Sequence, residues 1–176
     1  DSNTDTTCCG HVYPTYLQPY LDAVYPGIFI VREYAVWGCT ICNFPHGDKP
    51  FTKVDEYGKA KEFHPDSTPP DYIIVMGGAN DSKQPNWERR DCKNHFEDDL
   101  KSLYESFLSL TPSAKVFASE PPAVSDSSAC CNIRNSVIEK EIVSKIHAAA
   151  ASVGGSPGVR VIETYNFTKP HTCSEE

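Results

Sequence analysis

Apolar and polar positions alternate along the chain between two kinds of run. From His11 to Tyr25 the side chains of Val12, Tyr16, Leu17, Tyr20, Leu21 and Val24 recur at helical spacing, with Pro14 near the start and Pro19 inside. After Pro26-Gly27 the unbroken apolar run Ile28-Phe29-Ile30-Val31 predicts a strand buried on both faces. A loop rich in Gly, Cys and Pro spans Trp37 to Pro50. Residues Phe51 to Phe63 then read as a polar helix, stopped by His64-Pro65 and Thr68-Pro69-Pro70. Tyr72-Ile73-Ile74-Val75-Met76 is the clearest strand, followed by Gly77-Gly78 and a polar loop through Arg90. A helix is expected from Asn94 to Leu110, with Glu97, Asp98 and Asp99 in its first turn, where the helix dipole favours anions. Lys115 to Ser119 is a further strand, broken by Pro121-Pro122. The stripe Ile138, Ile142, Ile146 and Ala149 marks an amphipathic helix from Ile133 to Ser152, stopped by Gly154-Gly155. Val159-Arg160-Val161-Ile162 is the last strand.

Strands alternating with helices in this way predict an α/β fold, a parallel sheet covered by helices on both sides. Sites in such sheets lie beyond the carboxyl ends of the strands. The loops that matter are therefore residues 1–10, 35–43, 77–91, 119–130 and those after 163. Position 1 already reads as a loop that follows a strand, with no strand before it. The expectation is that the chain is a window of a longer polypeptide, or that another chain or segment completes the sheet between Ile28–Val31 and Tyr72–Met76.

With 176 residues the chain predicts one domain with a sizeable core. A net charge of -8 argues against a nucleic-acid partner, because phosphate neutralisation needs a basic face. The short run Glu88-Arg89-Arg90 reads as the solvated start of a helix. No apolar stretch approaches the ~20 residues needed to span a bilayer. The first residues, Asp1-Ser2-Asn3-Thr4-Asp5, are not a signal peptide, so either a leader has been removed or the chain begins inside a longer one. The 8 cysteines (Cys8, Cys9, Cys39, Cys42, Cys92, Cys130, Cys131 and Cys173) fit a disulfide framework and an extracellular location. Two other readings stay open: Cys39-x-x-Cys42 has zinc-like spacing and also redox-motif spacing. Asn166-Phe167-Thr168 is an N-glycosylation sequon; Asn80-Asp81-Ser82 is formally another, expected to be unused.

Three blocks at strand ends carry a resemblance. Gly77-Gly78-Ala79-Asn80-Asp81-Ser82 looks like the Gly-x-Asn-Asp block of the SGNH (GDSL-like) hydrolases. Asp1-Ser2-Asn3-Thr4 is similar to their Gly-Asp-Ser-x-Thr nucleophile block. Tyr34-Ala35-Val36-Trp37-Gly38-Cys39-Thr40 resembles the block that supplies a glycine donor, with Glu33 where an asparagine often stands. The resemblance covers nearly the whole chain and implies a three-layer, flavodoxin-like α/β/α domain. It also implies a secreted esterase acting on small acyl esters, such as an acetylated carbohydrate or a lipid acyl ester, with no metal and no organic cofactor.

Carried over residue by residue, the nucleophile is Ser2 and the donors to the tetrahedral oxyanion are the N–H of Ser2, the N–H of Gly38 and the side-chain amide of Asn80. Asp1 and Asp81 would support their loops. The family's Asp-x-x-His block would begin about where the chain ends, at Glu176. His171 is the histidine on the correct side, with Thr168 rather than an acid three positions before it. His11, His46, His64, His95 and His147 have no such block around them, and His147 reads as a surface residue of the long helix. Two other functions remain on the residues. A non-catalytic extracellular structural or binding module would lack the Asp-x-x-His block. A flavodoxin-like cofactor binder would need a better phosphate loop than Cys8-Cys9-Gly10.

Overall fold

The computed structural model describes residues 13–44, 48–63, 65–124, 132–154 and 158–168. Its centre is a three-stranded parallel sheet of β1 (Tyr72–Met76), β2 (Lys115–Ser119) and β3 (Val159–Ile162), in the order β1-β2-β3. The register sets Ile74 against Phe117 and Phe117 against Arg160. The crossovers are α3 (Cys92–Leu110) and α4, a helix in three stretches: Asn135–Val137, a π-helical Ile138–Ile142, and Val143–Ser152. Before them come α1 (Tyr13–Val24), a 3₁₀ turn at Phe51–Lys53 and α2 (Asp55–Lys61); a short α5 (Tyr165–Thr168) follows β3. The fold is the α/β class expected from the alternation of strands and helices.

Alternate strand residues explain where the core sits, because successive side chains point to opposite faces. Ile73, Val75, Val116, Ala118, Val159 and Val161 face the apolar stripes of α3 and α4. Those stripes bring Phe96, Leu100, Leu103, Ile142, Ile146 and Ala149 into the same cluster. On the opposite face Tyr72, Ile74 and Ile162 stay 51%, 39% and 38% exposed, so the described elements cover one side of the sheet more fully than the other.

The run Ile28–Val31 departs from expectation. Among the described residues it joins no ladder; Ile28 closes a turn onto Tyr25 O at 3.2 Å, and Ile28 and Ile30 are 69% and 79% exposed rather than buried on both faces. The reason is local. The side-chain amide of Gln18 on α1 donates to Phe29 O at 3.0 Å and accepts from Val31 N at 2.6 Å, occupying the backbone edge that a neighbouring strand would use. Smaller differences follow from packing. The α3 helix starts two residues early, at Cys92, so Asp99 lies in its second turn and accepts from Asn43 N at 2.8 Å. The run Glu88-Arg89-Arg90 does not start a helix. Glu88 and Arg89 belong to a π-helical turn, Pro85–Arg89, and Glu88 pairs with Arg134 at 2.7 Å.

Candidate active site

At the carboxyl end of β1 the chain must turn sharply while a second loop comes close. A side chain at Gly77 would run into Ile41, with contacts of 2.5 Å and 2.8 Å, and Gly78 has φ +111. Gly77 therefore lets the loop carrying Gly38 to Cys42 lie against the strand end, and Gly78, where a side chain would meet Ile142 at 2.8 Å, lets α4 approach. The four residues that follow, Ala79, Asn80, Asp81 and Ser82, are all buried, with Asn80 at 2% exposure and Asp81 at 0%. Three of them are polar, so each must find a partner inside the protein.

They find them on the neighbouring loop. The side-chain amide of Asn80 donates to Cys39 O at 3.2 Å, one residue past Gly38, which has φ +78. Among the described residues the second N–H of that amide has no partner. Asp81 Oδ1 accepts from Ile41 N at 3.0 Å and from Cys42 N at 2.9 Å, and Oδ2 lies 3.1 Å from Ile41 N. Burial raises the Asp81 carboxyl to about 6 from 3.8, against the lowering effect of the Cys42 and Ile41 amides. Ser82 Oγ donates to Ala79 O at 2.7 Å and accepts from Arg134 N at 2.9 Å, so the same loop is tied to the start of α4.

The two loops are also joined covalently. Cys42 and Cys92 form a disulfide, both fully buried, which fastens the Gly38 loop to the first residue of α3. This settles one of the open readings of Cys39-x-x-Cys42: the partner of Cys42 is Cys92, fifty residues away, and not Cys39. Cys39 is a buried free thiol whose pKa burial pushes up, the reverse of an activated redox cysteine. The Cys42 and Cys92 sulfurs cluster with the Asp81 carboxylate within 4.8 Å, but bonded to each other they are not thiolate ligands.

The structure thus brings Gly38 and Asn80 together through Cys39, with Asp81 behind them. Asp1, Ser2 and His171 lie outside the described residues, as do His11, His46, His64 and the remaining cysteines. Asn166 is exposed on α5, while Asn80 and Ser82 of the other sequon are buried.

Sequence reasoning missed two buried polar residues near this rim. Asn86, 1% exposed on the π-helical turn, donates to Asn80 O at 2.7 Å and to Asp48 Oδ2 at 2.9 Å. Glu120, 1% exposed just past β2, takes Tyr165 N at 3.0 Å and lies 2.9 Å from His147 Nε2. His147 is therefore not a plain surface residue; its half-exposed ring closes onto a buried carboxylate. Thr168 Oγ1 accepts from Ala123 N at 2.9 Å, and together these bonds hold α5 against the carboxyl end of β2. The one available signal was a charged residue, Glu120, directly after an apolar strand. Asn86 carried none, being one polar residue among many in its loop.

Neither a search of curated proteins nor a search of solved structures finds a match for this chain. A model of the GDSL-like Lipase/Acylhydrolase family matches residues 1–174, which include all three motif blocks, and the chain belongs to that family.

Proposed function

We propose that this protein is a secreted serine esterase that cleaves small acyl esters, the acyl group of a carbohydrate ester or of a lipid, through an acyl-serine on Ser2. Ester cleavage needs a nucleophile and donors aimed at the oxygen that becomes negative in the tetrahedral intermediate. Ser2 attacks the ester carbonyl, and the N–H groups of Ser2 and Gly38 and the free N–H of Asn80 receive the oxyanion. The alcohol leaves with a proton, and water then releases the acid. Asp1 and Asp81 hold the loops. A histidine must take the serine proton; His171 is the one on the correct side in sequence, with Thr168 where the family's acid stands.

The observation that carries this reading is the use of the Asn80 amide. One N–H is spent on Cys39 O at 3.2 Å, which aims the group, and the other, without a partner among the described residues, is left to donate. A buried disulfide and the 8 cysteines support an oxidising, extracellular setting, where Asn166 is a glycan acceptor. A further strand, from another segment or another chain, completes the sheet beside β1. The edge of β1 away from β2 supports this, because among the described residues it pairs with no strand, and so do the exposed Ile28 and Ile30.

Labelling with a fluorophosphonate, followed by mapping of the adduct, tests the assignment. A label on Ser2 that is lost in Ser2→Ala is the expected result. A folded sample that hydrolyses p-nitrophenyl acetate with the label on another residue would overturn the nucleophile. Inertness to a panel of ester and phosphonate probes would point instead to a non-catalytic module.

A further inference from the structure

A buried side-chain amide costs desolvation unless each of its polar atoms is paired, so its partners reveal what it holds. Asn86 is fully paired. Its two N–H groups go to Asn80 O at 2.7 Å and Asp48 Oδ2 at 2.9 Å, and its carbonyl accepts from Arg90 Nη1, whose guanidinium also sits over the Phe44 ring at 5.7 Å. Asp48 in turn accepts from Lys83 Nζ at 3.2 Å. Asn86 thus joins the Asn80 loop to the segment that pairs with the Gly38 loop, where Thr40 bridges to Pro50.

The bond to Asn80 O matters most. Among the described residues that carbonyl otherwise has only a long 3.4 Å contact from Lys83 N. It belongs to the peptide linking Asn80 to Asp81, so fixing it fixes the plane from which both side chains leave. One of those side chains grips Cys39 O, and the other grips the Ile41 and Cys42 amides. We infer that Asn86 is a positioning residue for the Asn80 donor, holding from behind the amide that faces the developing oxyanion. The inference rests on the esterase reading for its catalytic meaning and on geometry alone for its placement.

Asn86→Asp is the same shape but loses both donors. It keeps a partner in Arg90 and sets a carboxylate against Asp48 and Asn80 O. Asp48→Asn combined with Asn86→Asp restores the link between these two positions with donor and acceptor exchanged, and leaves the bond to Asn80 O broken. With p-nitrophenyl acetate as probe, kcat of Asn86→Asp is expected to fall about 10- to 100-fold with KM little changed, as for a misplaced catalytic group. The double variant should recover Tm but not kcat. In ¹⁵N spectra the Asn80 side-chain amide should exchange faster with water in both.

Recovery of kcat along with Tm in the double variant, or an unaltered Asn80 amide in Asn86→Asp, would overturn the inference. A wild-type protein without esterase activity, but with the Asn80 amide loosened in both variants, would sink the esterase reading and leave the placement standing. Activity that depends on Asn80 and is indifferent to Asn86 would sink the placement alone.

Discussion

The rim around Asn80 and the segment from Tyr13 to Val31 invert the usual rule for which residues are inside. At the rim, polar residues are buried: Asn80, Asp81, Ser82 and Asn86 all have 2% exposure or less. In the amino-terminal segment apolar residues are exposed, with Tyr20 at 65% and Ile30 at 79%. The rim is held by directional bonds and a covalent link between distant loops. In the other segment the bonds are local: helical bonds, a turn from Ile28 N to Tyr25 O, the Gln18 side chain and an edge-on contact of the Tyr25 and Phe29 rings at 5.7 Å. Buried polar groups held by directional bonds specify a geometry, whereas an exposed apolar run offers a surface for another to bury against.

The sharpest break in this comparison comes from the rim's side-chain donor. Asn80→Ala should lower kcat about 100- to 1000-fold, the typical loss of a preorganised oxyanion donor. Steady-state kinetics with p-nitrophenyl acetate checks it, and a loss confined to KM would count against the role. Next is the covalent link. Replacing Cys42 and Cys92 together by Ala frees a loop of fifty residues and should cost about 4 kcal/mol by loop entropy. Hydrogen exchange should then rise at Ile41 and Cys42 and stay unchanged in α1.

The Asp81 carboxyl gives the comparison a pH dependence. Its folded value, about 6, lies above 3.8, so between these pH values the folded protein keeps a proton that the unfolded chain has lost. This contribution is complete below about pH 4 and is lost as pH rises through about 6, roughly 3 kcal/mol for a shift of about two units. Urea unfolding at several pH values should show wild type losing stability relative to Asp81→Asn over that interval. Parallel curves would mean that Asp81 titrates at its ordinary value. A smaller effect is expected at Glu120. His147→Ala leaves a buried carboxylate with Tyr165 N as its remaining partner and should cost about 1–3 kcal/mol.

The smallest effect belongs to the other region. Ile30→Ser removes an exposed side chain and should change stability by less than about 0.5 kcal/mol in this chain alone. The same substitution in a protein whose sheet has gained the proposed strand should cost several times more. Equal, small costs in both would remove the case for burial there.

The helices and the three paired strands were legible along the chain because their signals are local. Helical hydrogen bonds close within four residues, and an apolar run of strand length bounded by Gly and Pro states its own limits. Gly77 to Asp81 could be placed at a strand end for the same reason. Tertiary structure decided what depends on contacts far apart in sequence. It paired Cys42 with Cys92, set Asn86 behind Asn80, and turned His147 onto Glu120. It also left Ile28–Val31 outside the sheet, since a strand is defined by the neighbour it bonds to and not by its own residues.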